Sequence, residues 1–486
     1  MTALVTKHIA LLSGAPGGVD KLRMLFRRLA VTERLSSDGD PSAKSDWRRT
    51  TFGQVFSLEY GDNLPAPKRS GTGEFPVYGS NGVVGSHNEC CVSAPCLVVG
   101  RKGSAGAVNI CEHVGCWVTD VAYSCVPPGD VALRFAFVLF QSLGLDELGK
   151  GIKPGLSRSE AYALPVSIPP LAEQHRIVTK VDELMALCDR LEARQQDAEA
   201  AHARLVQALL DSLTQARDAD EFQACWQRVA VVFCEMFTTA DTVDALEQVV
   251  LQSACSGRLI TSNTHHVTEA SPRYLLEAAV VPPAPFVIPS NWRWARLGDL
   301  CSLITSGSRG WKEFYAEHGS TFIRSQDIKF DRLEFDQRAF VALPPNAEGA
   351  RTQVHRDDLL ITITGANVGK CAVLNEAPED AYVSQHVALV RLHDPQQAEY
   401  IHRWLINGCG GRRLLLSSSY GAKPGLNLQN LKDLPVPLPP LAEQHRIVAK
   451  VTELLALCDQ LKARIAAARA KHAQLAEALV AQAVAA

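Results

Sequence analysis

Apolar residues recur at alternating steps of four and three along two long stretches of the chain. The first carries Ile177, Val181, Leu184, Cys188, Leu191, Leu205 and Leu209, with Gln195, Ala198 and His202 completing the spacing; the second carries Ile447, Val451, Leu454, Cys458, Leu461, Ile465, Leu475 and Leu479, with Ala468 and His472 between. Glu, Arg, Gln and Lys fill the other positions. Such an a/d seam predicts two long helices, about 172–215 and 442–485, each needing a partner face, and each copy has the other available. Roughly 43 residues at about 1.5 Å each make a rod of about 65 Å, which suits a spacer.

The two stretches are copies. Residues 164–194 and 434–464 match at 24 of 31 positions at an offset of 270 residues, and both open with Leu-Pro-Val and a Pro-Pro-Leu-Ala-Glu-Gln string. The prolines (Pro165, Pro169 and Pro170; Pro435, Pro439 and Pro440) read as a hinge that forbids helix before the seam begins. A shorter helical period over 19–35 aligns without gaps on 243–259. Each short helix precedes a Trp-containing start (Trp47, Trp292), a globular region and then the proline-led long helix, so the chain is a tandem duplication.

This order divides the chain at 1–46 (an arm, loosely ordered over 1–18, and a short helix), 47–163 (first globule), 164–285 (repeat region with connecting helices, extra helical sequence falling at 218–242), 286–433 (second globule) and 434–486 (second repeat region). Both globules alternate short β-type runs with Gly, Pro, Asn and Ser turns, which predicts mixed domains; 132–148 and 399–416 have helical patterning. The globules end alike, at Gly151-Ile152-Lys153-Pro154-Gly155 and Gly421-Ala422-Lys423-Pro424-Gly425. Their interiors differ far more, as variable readers on a common frame would.

Composition narrows the classes. A length of 486 residues allows two or three domains, and a net charge of −3 argues neither for nor against nucleic acid. The chain has no apolar run long enough to span a bilayer and no convincing signal peptide at its start, which favours the cytoplasm. Its 14 cysteines include no C-x-x-C pair, so small buried thiols are favoured over a zinc site; Cys188 and Cys458 fall on the seam.

Enzyme chemistry fits poorly. The Gly-rich turns are Gly100-Arg101-Lys102-Gly103-Ser104-Ala105-Gly106 and Gly365-Ala366-Asn367-Val368-Gly369-Lys370. Neither has phosphate-loop spacing, since only three residues separate Gly365 from Gly369 and Cys371 follows Lys370. Asp327-Ile328-Lys329 with Glu317 is a weak nuclease pattern, and no Pro-Pro pair is followed by the aromatic that an amino-methyltransferase needs. The duplicated His175 and His445 read as helix-start residues. The remaining candidates are loop residues able to meet phosphates or base edges: Lys68, Arg69, Asn81, Arg101, Lys102, Ser104 and Lys153 in the first globule, and Arg309, Lys312, Arg324, Gln326, Asn367, Lys370 and Lys423 in the second. Each globule has nearly as many acids as bases, so a solvated surface is the plain alternative for each residue.

The duplicated Pro-Pro-Leu-Ala-Glu-Gln segment, Pro76-Val77-Tyr78-Gly79-Ser80-Asn81-Gly82, and the Gly100–Gly106 turn followed by Asp120-Val121-Ala122-Tyr123 closely resemble the specificity subunit of type I restriction–modification systems over nearly the full length. The resemblance implies an α+β protein in which two mixed target-recognition domains are joined by two long helices in an antiparallel coiled coil with pseudo-two-fold symmetry. It implies a non-catalytic subunit that binds double-stranded DNA, each globule reading half of a split site and the helices fixing the gap. Two modification subunits, carrying S-adenosylmethionine, and restriction subunits, using ATP and Mg, would be its partners, with no cofactor on this chain. The second globule lacks the Tyr-Gly-Ser-Asn-Gly and Gly-Arg-Lys-Gly strings, so contacts at Asn367 and Lys370 rest on position alone. A coiled-coil scaffold with two ligand-binding globules that never touches DNA is the rival reading; a solitary DNA-modifying enzyme is a weaker one.

Overall fold

The structure, a computed structural model, describes residues 2–32, 47–69, 71–148, 155–261, 286–307, 310–344, 350–419 and 425–485. It divides into two compact units, Met1–Glu199 with Ala467–Ala486, and Ala200–Ala466. The long helices span Leu171–Thr214 and Leu441–Ala485. Each unit holds the start of one and the end of the other, as an antiparallel pair requires.

In the first unit the strands in chain order are β1 (Arg48–Thr51), β2 (Glu59–Tyr60), β3 (Phe75–Gly79), β4 (Gly82–His87), β5 (Cys96–Gly100), β6 (Val108–Cys111), β7 (Trp117–Val118), β8 (Ala122–Cys125) and β9 (Pro165–Ile168). The proline segment is therefore a strand: β9 pairs antiparallel with β1, Arg48 opposite Ile168, and closes the globule where its chain began. Because the pair has only two strands, the missing N–H of Pro165 leaves no ladder bond unmade. The body is a sheet in the order β2-β8-β5-β6 beside a smaller one, β4-β3-β7, whose β3 and β7 run parallel. A helix, Leu133–Ser142, packs on β5 and β6 and buries Phe135, Leu139 and Phe140 against Phe52, Phe56, Leu97 and Val99. Ile177 and Val181 of the long helix belong to the same core.

The Glu-Gln of the repeat explains itself here. Gln174 is fully buried; its carbonyl accepts from Ala132 N (2.7 Å) and its amide donates to Asp130 O and Pro169 O, both 2.9 Å. One side chain ties the helix start to the loop before Leu133. The arm expected to be loose is a helix, Thr2–Gly14, with Leu12 and Ala15 buried and Leu11 O bonded to His472 Nε2 at 2.7 Å. A second helix, Gly18–Ala30, buries Val19, Leu22, Leu25, Phe26 and Leu29 in a core with Leu184, Cys188, Ala476, Leu479 and Ala483.

The second unit repeats this plan with β10 (Arg293–Arg296), β11 (Cys301–Ser306), β12 (Tyr315–Ala316), β13 (Ser320–Ile323), β14 (Ala339–Val341), β15 (Leu359–Thr362), β16 (Cys371–Val373), β17 (Ala381–Val383), β18 (Val387–Leu392) and β19 (Pro435–Leu438). β10 pairs with β19, the sheet runs β11-β18-β15-β16, and the smaller one runs β12-β14-β13-β17 with β13 and β17 parallel. Glu443 accepts from Trp292 Nε1 (3.1 Å) and Asn291 Nδ2 (3.0 Å), and Gln444 donates to Pro439 O (2.9 Å), so the second copy of Glu-Gln also clamps its globule. The helix expected over 399–416 is broken into Ala398–Ile406 and Gly411–Ser417. Gly410 and Gly411 lie so close to Trp404 that a Cβ on either would overlap it, and buried Asn407 turns away to Gln252. The extra helical sequence forms Ala219–Val231 and Phe233–Met236, and Ala240–Cys255 lays Val243, Leu246 and Val250 into the core with Ile447, Val451, Leu454 and Cys458.

The seam holds only part of the way. Ile177, Val181 and Cys188 are buried and Leu184 and Leu191 half-buried; in the second copy Ile447, Val451, Leu454, Cys458 and Leu461 are buried and Ile465, in the place of Gln195, is half-buried. Leu205 and Leu475, expected in the seam, are 57% and 55% exposed; Val206, Leu210 and Leu213, and Ala476 and Ala483, are buried instead, with Leu209 and Leu479 at the margin. Gln195, Ala198 and Ala468 are exposed. From Cys188 to Val206 is 18 residues, five turns at about 3.6 residues each. Within each run the spacing of four and three holds (Ile177, Val181, Leu184, Cys188; Val206, Leu210, Leu213), and between the runs the count shifts by one position in both copies.

Candidate nucleic-acid interface

In the first globule the turn from Gly100 to Gly106 leaves the end of β5. Gly106 N donates to Gly100 O (2.8 Å) and Gly100 N to Ala107 O (2.7 Å), while Leu156 N donates to Arg101 O (3.0 Å). Gly103 (φ 78°) and Gly106 (φ 79°) supply left-handed backbone that other residues resist. The turn thereby exposes Lys102, Gly103 and Ser104. Arg101 is half-buried: its guanidinium donates to Asp120 O (3.1 Å) and lies 4.9 Å from the centre of the exposed Tyr60 ring, which Arg158 approaches to 4.3 Å. Asn81 stands exposed at the β3–β4 turn, where Ser80 abuts Gly100 and Gly103.

The second globule builds the same place from different residues. Gly369 N donates to Thr362 O, Thr362 N to Lys370 O, and Leu426 N to Ile363 O at 3.0, 2.9 and 2.8 Å. Leu156 and Leu426 stand at the repeat offset, so Arg101 corresponds to Ile363, Lys102 to Thr364 and Ala107 to Lys370, with one residue more in the second turn. Thr119 N donates to Tyr78 O and Ser384 N to Ile323 O, which sets Asn81 against Gln326 and Asp120 against Gln385. Gln326, Gln385 and His386 are exposed, His386 Nδ1 meets Thr364 Oγ1 at 2.5 Å, and Asn367 Nδ2 donates to Ser325 O at 3.3 Å. The sheet end that offers Arg101, Lys102, Ser104 and Asn81 in one globule offers amides, a hydroxyl and an imidazole in the other.

The family described as the type I restriction modification DNA specificity domain matches residues 44–200 and 289–468. The chain belongs to that family. Among relatives, the Escherichia coli type I restriction enzyme EcoEI specificity subunit is 28% identical over 407 residues, 75% of this chain and 67% of that protein. The Escherichia coli EcoAI specificity subunit is 28% identical over 338 residues, 65% of this chain and 57% of that protein, so the chain spans only part of their length. A chain from a structure titled as the basis of complex assembly and conformational transition of the type I R-M system shares the fold at a TM-score of 0.55 and 18% identity, covering 90% of this chain and 98% of that one.

Within this specificity-subunit fold the other sequence candidates separate. Lys68 is exposed on a short turn, but Arg69 closes its own loop through two bonds to Leu64 O (3.1 and 3.0 Å). Arg324 is committed to buried Asp327 (3.1 Å) and to Gln337 O (2.6 Å), and so holds the segment that carries Gln326. Lys370 is half-buried beyond the turn, and Lys312 lies in the short turn Trp311–Phe314. Lys153, Arg309 and Lys423 lie outside the described residues. Thr364, Gln385 and His386 carry no sequence signal; the Leu426–Ile363 bond finds Thr364, and the strand pairing that equates Ser384 with Thr119 finds the other two.

The thiols of the first globule are structural in surroundings. Cys96 Sγ lies 3.6 Å from Cys116 Sγ in the core, and burial pushes the Cys125 thiol up to about 12, which keeps it protonated. Among the described residues no three His, Cys, Asp or Glu side chains converge as metal ligands, and no helix is long and apolar enough to cross a membrane.

Proposed function

We propose that the chain reads DNA for a type I restriction–modification assembly, each globule recognising one half of a bipartite, asymmetric adenine-methylation site. The observation that carries this reading is the matched pair of loop clusters: one backbone frame, built twice, with different polar side chains at its exposed end. Lys102 and Ser104 suit phosphate contacts and Arg101 or Lys102 a guanine edge; Asn81, Gln326, Asn367 and Gln385 suit adenine edges. Two readers on one frame recognise two different half-sequences, as a dimer of identical readers could not.

The long helices set the gap between the half-sites in this account, and the surface they share recruits the partners. Ala172, His175, Arg176, Glu183 and Ala186 are exposed, and so are their identical equivalents Ala442, His445, Arg446, Glu453 and Ala456. A face kept twice without serving either core suits two copies of one modification subunit. Adenine methylation, with S-adenosylmethionine, and ATP- and Mg-dependent restriction belong to those partner subunits, in the cytoplasm, and this chain supplies the address. Inserting seven residues into both long helices is expected to lengthen the gap and leave both half-sequences unchanged. Loss of half-site identity in a variant that still assembles would remove the ruler from the account. A chain that assembles with its partners yet shows no salt-sensitive affinity for DNA would favour the scaffold reading.

A further inference from the structure

The two halves carry the same helix pairing with its ion pair reversed. Aligning Val19 with Val243 superposes the buried faces of the short helices, Val19, Leu22, Phe26 and Ala30 falling on Val243, Leu246, Val250 and Ala254. In that alignment Arg23 falls on Glu247, and the 270-residue offset of the long helices places Glu192 on Lys462. Of the seven differences within the 31-residue repeat, this is the one that reverses a charge. In the first unit Arg23 Nη2 lies 2.6 Å from Glu192 and 2.7 Å from Asp189; in the second Lys462 Nζ lies 2.8 Å from Glu247 and 2.5 Å from Asp244. Arg23 and Glu247 are only 20% and 18% exposed, so neither can turn fully to solvent.

We infer that this reversed pair is a pairing key that commits each short helix to its own long helix and rejects the other. The apolar faces share their pattern and differ in size at Phe26 against Val250 and at Leu29 against Ser253, the exchanged charge adds to that difference, and Asp20 and Asp189 recur unchanged as Asp244 and Asp459. A short helix docked in the wrong half would set Arg23 against Lys462, or Glu247 against Glu192, two half-buried like charges at hydrogen-bond range. Burial already pushes the Glu247 carboxyl up, and Lys462 offsets that cost; Glu192 in its place would add to it. A chain made of two copies of one unit faces this ambiguity within itself and with a second chain, and one exchanged charge pair resolves both.

The test uses the full chain. Residues 19–30 are replaced by the sequence of 243–254, keeping Gly18 because a Cβ there would overlap Leu12 O. Hydrogen exchange of the grafted segment is then followed with Glu192 and with Glu192→Lys. The graft is expected to exchange at least about tenfold faster beside Glu192 and to recover beside Lys, the scale of one hydrogen bond to a charged group. Equal protection in both backgrounds would overturn the key. Should the graft stay unprotected in both, Arg23→Glu, Glu192→Lys and their combination decide: recovery in the double variant upholds the inference, and a double variant no better than either single one overturns it.

Discussion

Gly106→Ala and Gly103→Ala change the same turn by the same methyl group and should differ in cost by about 1–3 kcal/mol. Both glycines have φ near +80°, where an L-residue costs about 1–2 kcal/mol. At Gly103 that is the whole effect, because the nearest atom to a new Cβ is Ser80 Oγ at 3.6 Å, ordinary contact. At Gly106 the Cβ would stand 2.2 Å from Asp146 N and 2.3 Å from Leu145 C, backbone that cannot swing aside. Overpacking of this kind adds about 1–3 kcal/mol, so Gly106→Ala is expected to cost about 2–5 kcal/mol against about 1–2 for Gly103→Ala. Hydrogen exchange of 96–111 is the right assay, since a chain of two units has no single unfolding free energy. Gly106→Ala should also weaken reading of the first half-site while the second persists. Equal costs at the two positions would refute the turn geometry on which the candidate interface rests.

Lys102→Ala should weaken DNA binding and lower the slope of log affinity against log salt by about 0.9, measured by titration at several salt concentrations; an unchanged slope would remove Lys102 from the phosphates. Gln326→Ala and Gln385→Ala should each cost about 1–3 kcal/mol against a site with the correct second half and nothing against a changed one, read by competition binding. Gln174→Ala loses three hydrogen bonds and leaves Ala132 N unpaired, so the first unit should lose about 2–3 kcal/mol in denaturant-resolved exchange. Burial holds His402 neutral, with its pKa lowered to about 4 from its ordinary 6.5. The unfolded chain therefore binds the extra proton between those values, and the second unit should lose stability as pH falls from about 6.5 towards 4, a trend that His402→Asn should flatten.

The parts of the fold that were legible in the sequence are those where the repeat is held by side chains. Gln174 and Gln444 recur because each bonds a fixed carbonyl at the helix start, and Ile177, Val181, Ile447 and Val451 because each enters a globule core. The common plan of the globules was not legible, because it is written in backbone bonds: Arg101 O and Ile363 O accept from equivalent leucines although their side chains share nothing. For the same reason Thr364, Gln385 and His386 went unseen while Asn81 and Gln326 were found by residue type alone. Leu205 and Leu475 fall outside the buried face because one heptad count is carried across the exposed stretch between two buried runs, where the count shifts by one position. The break at Asn407–Gly410 escaped the helical pattern because Trp404 needs the glycines, a tertiary demand with no local period.

The most direct test of the two-reader account is a map of methylated adenines at single-base resolution in cells that express this chain with a type I modification subunit. The map is made before and after exchanging residues 47–163 for those of another specificity subunit. The account expects a split motif in which one half changes and the other half and the gap remain. A motif altered in both halves, or one that survives the exchange intact, would contradict it.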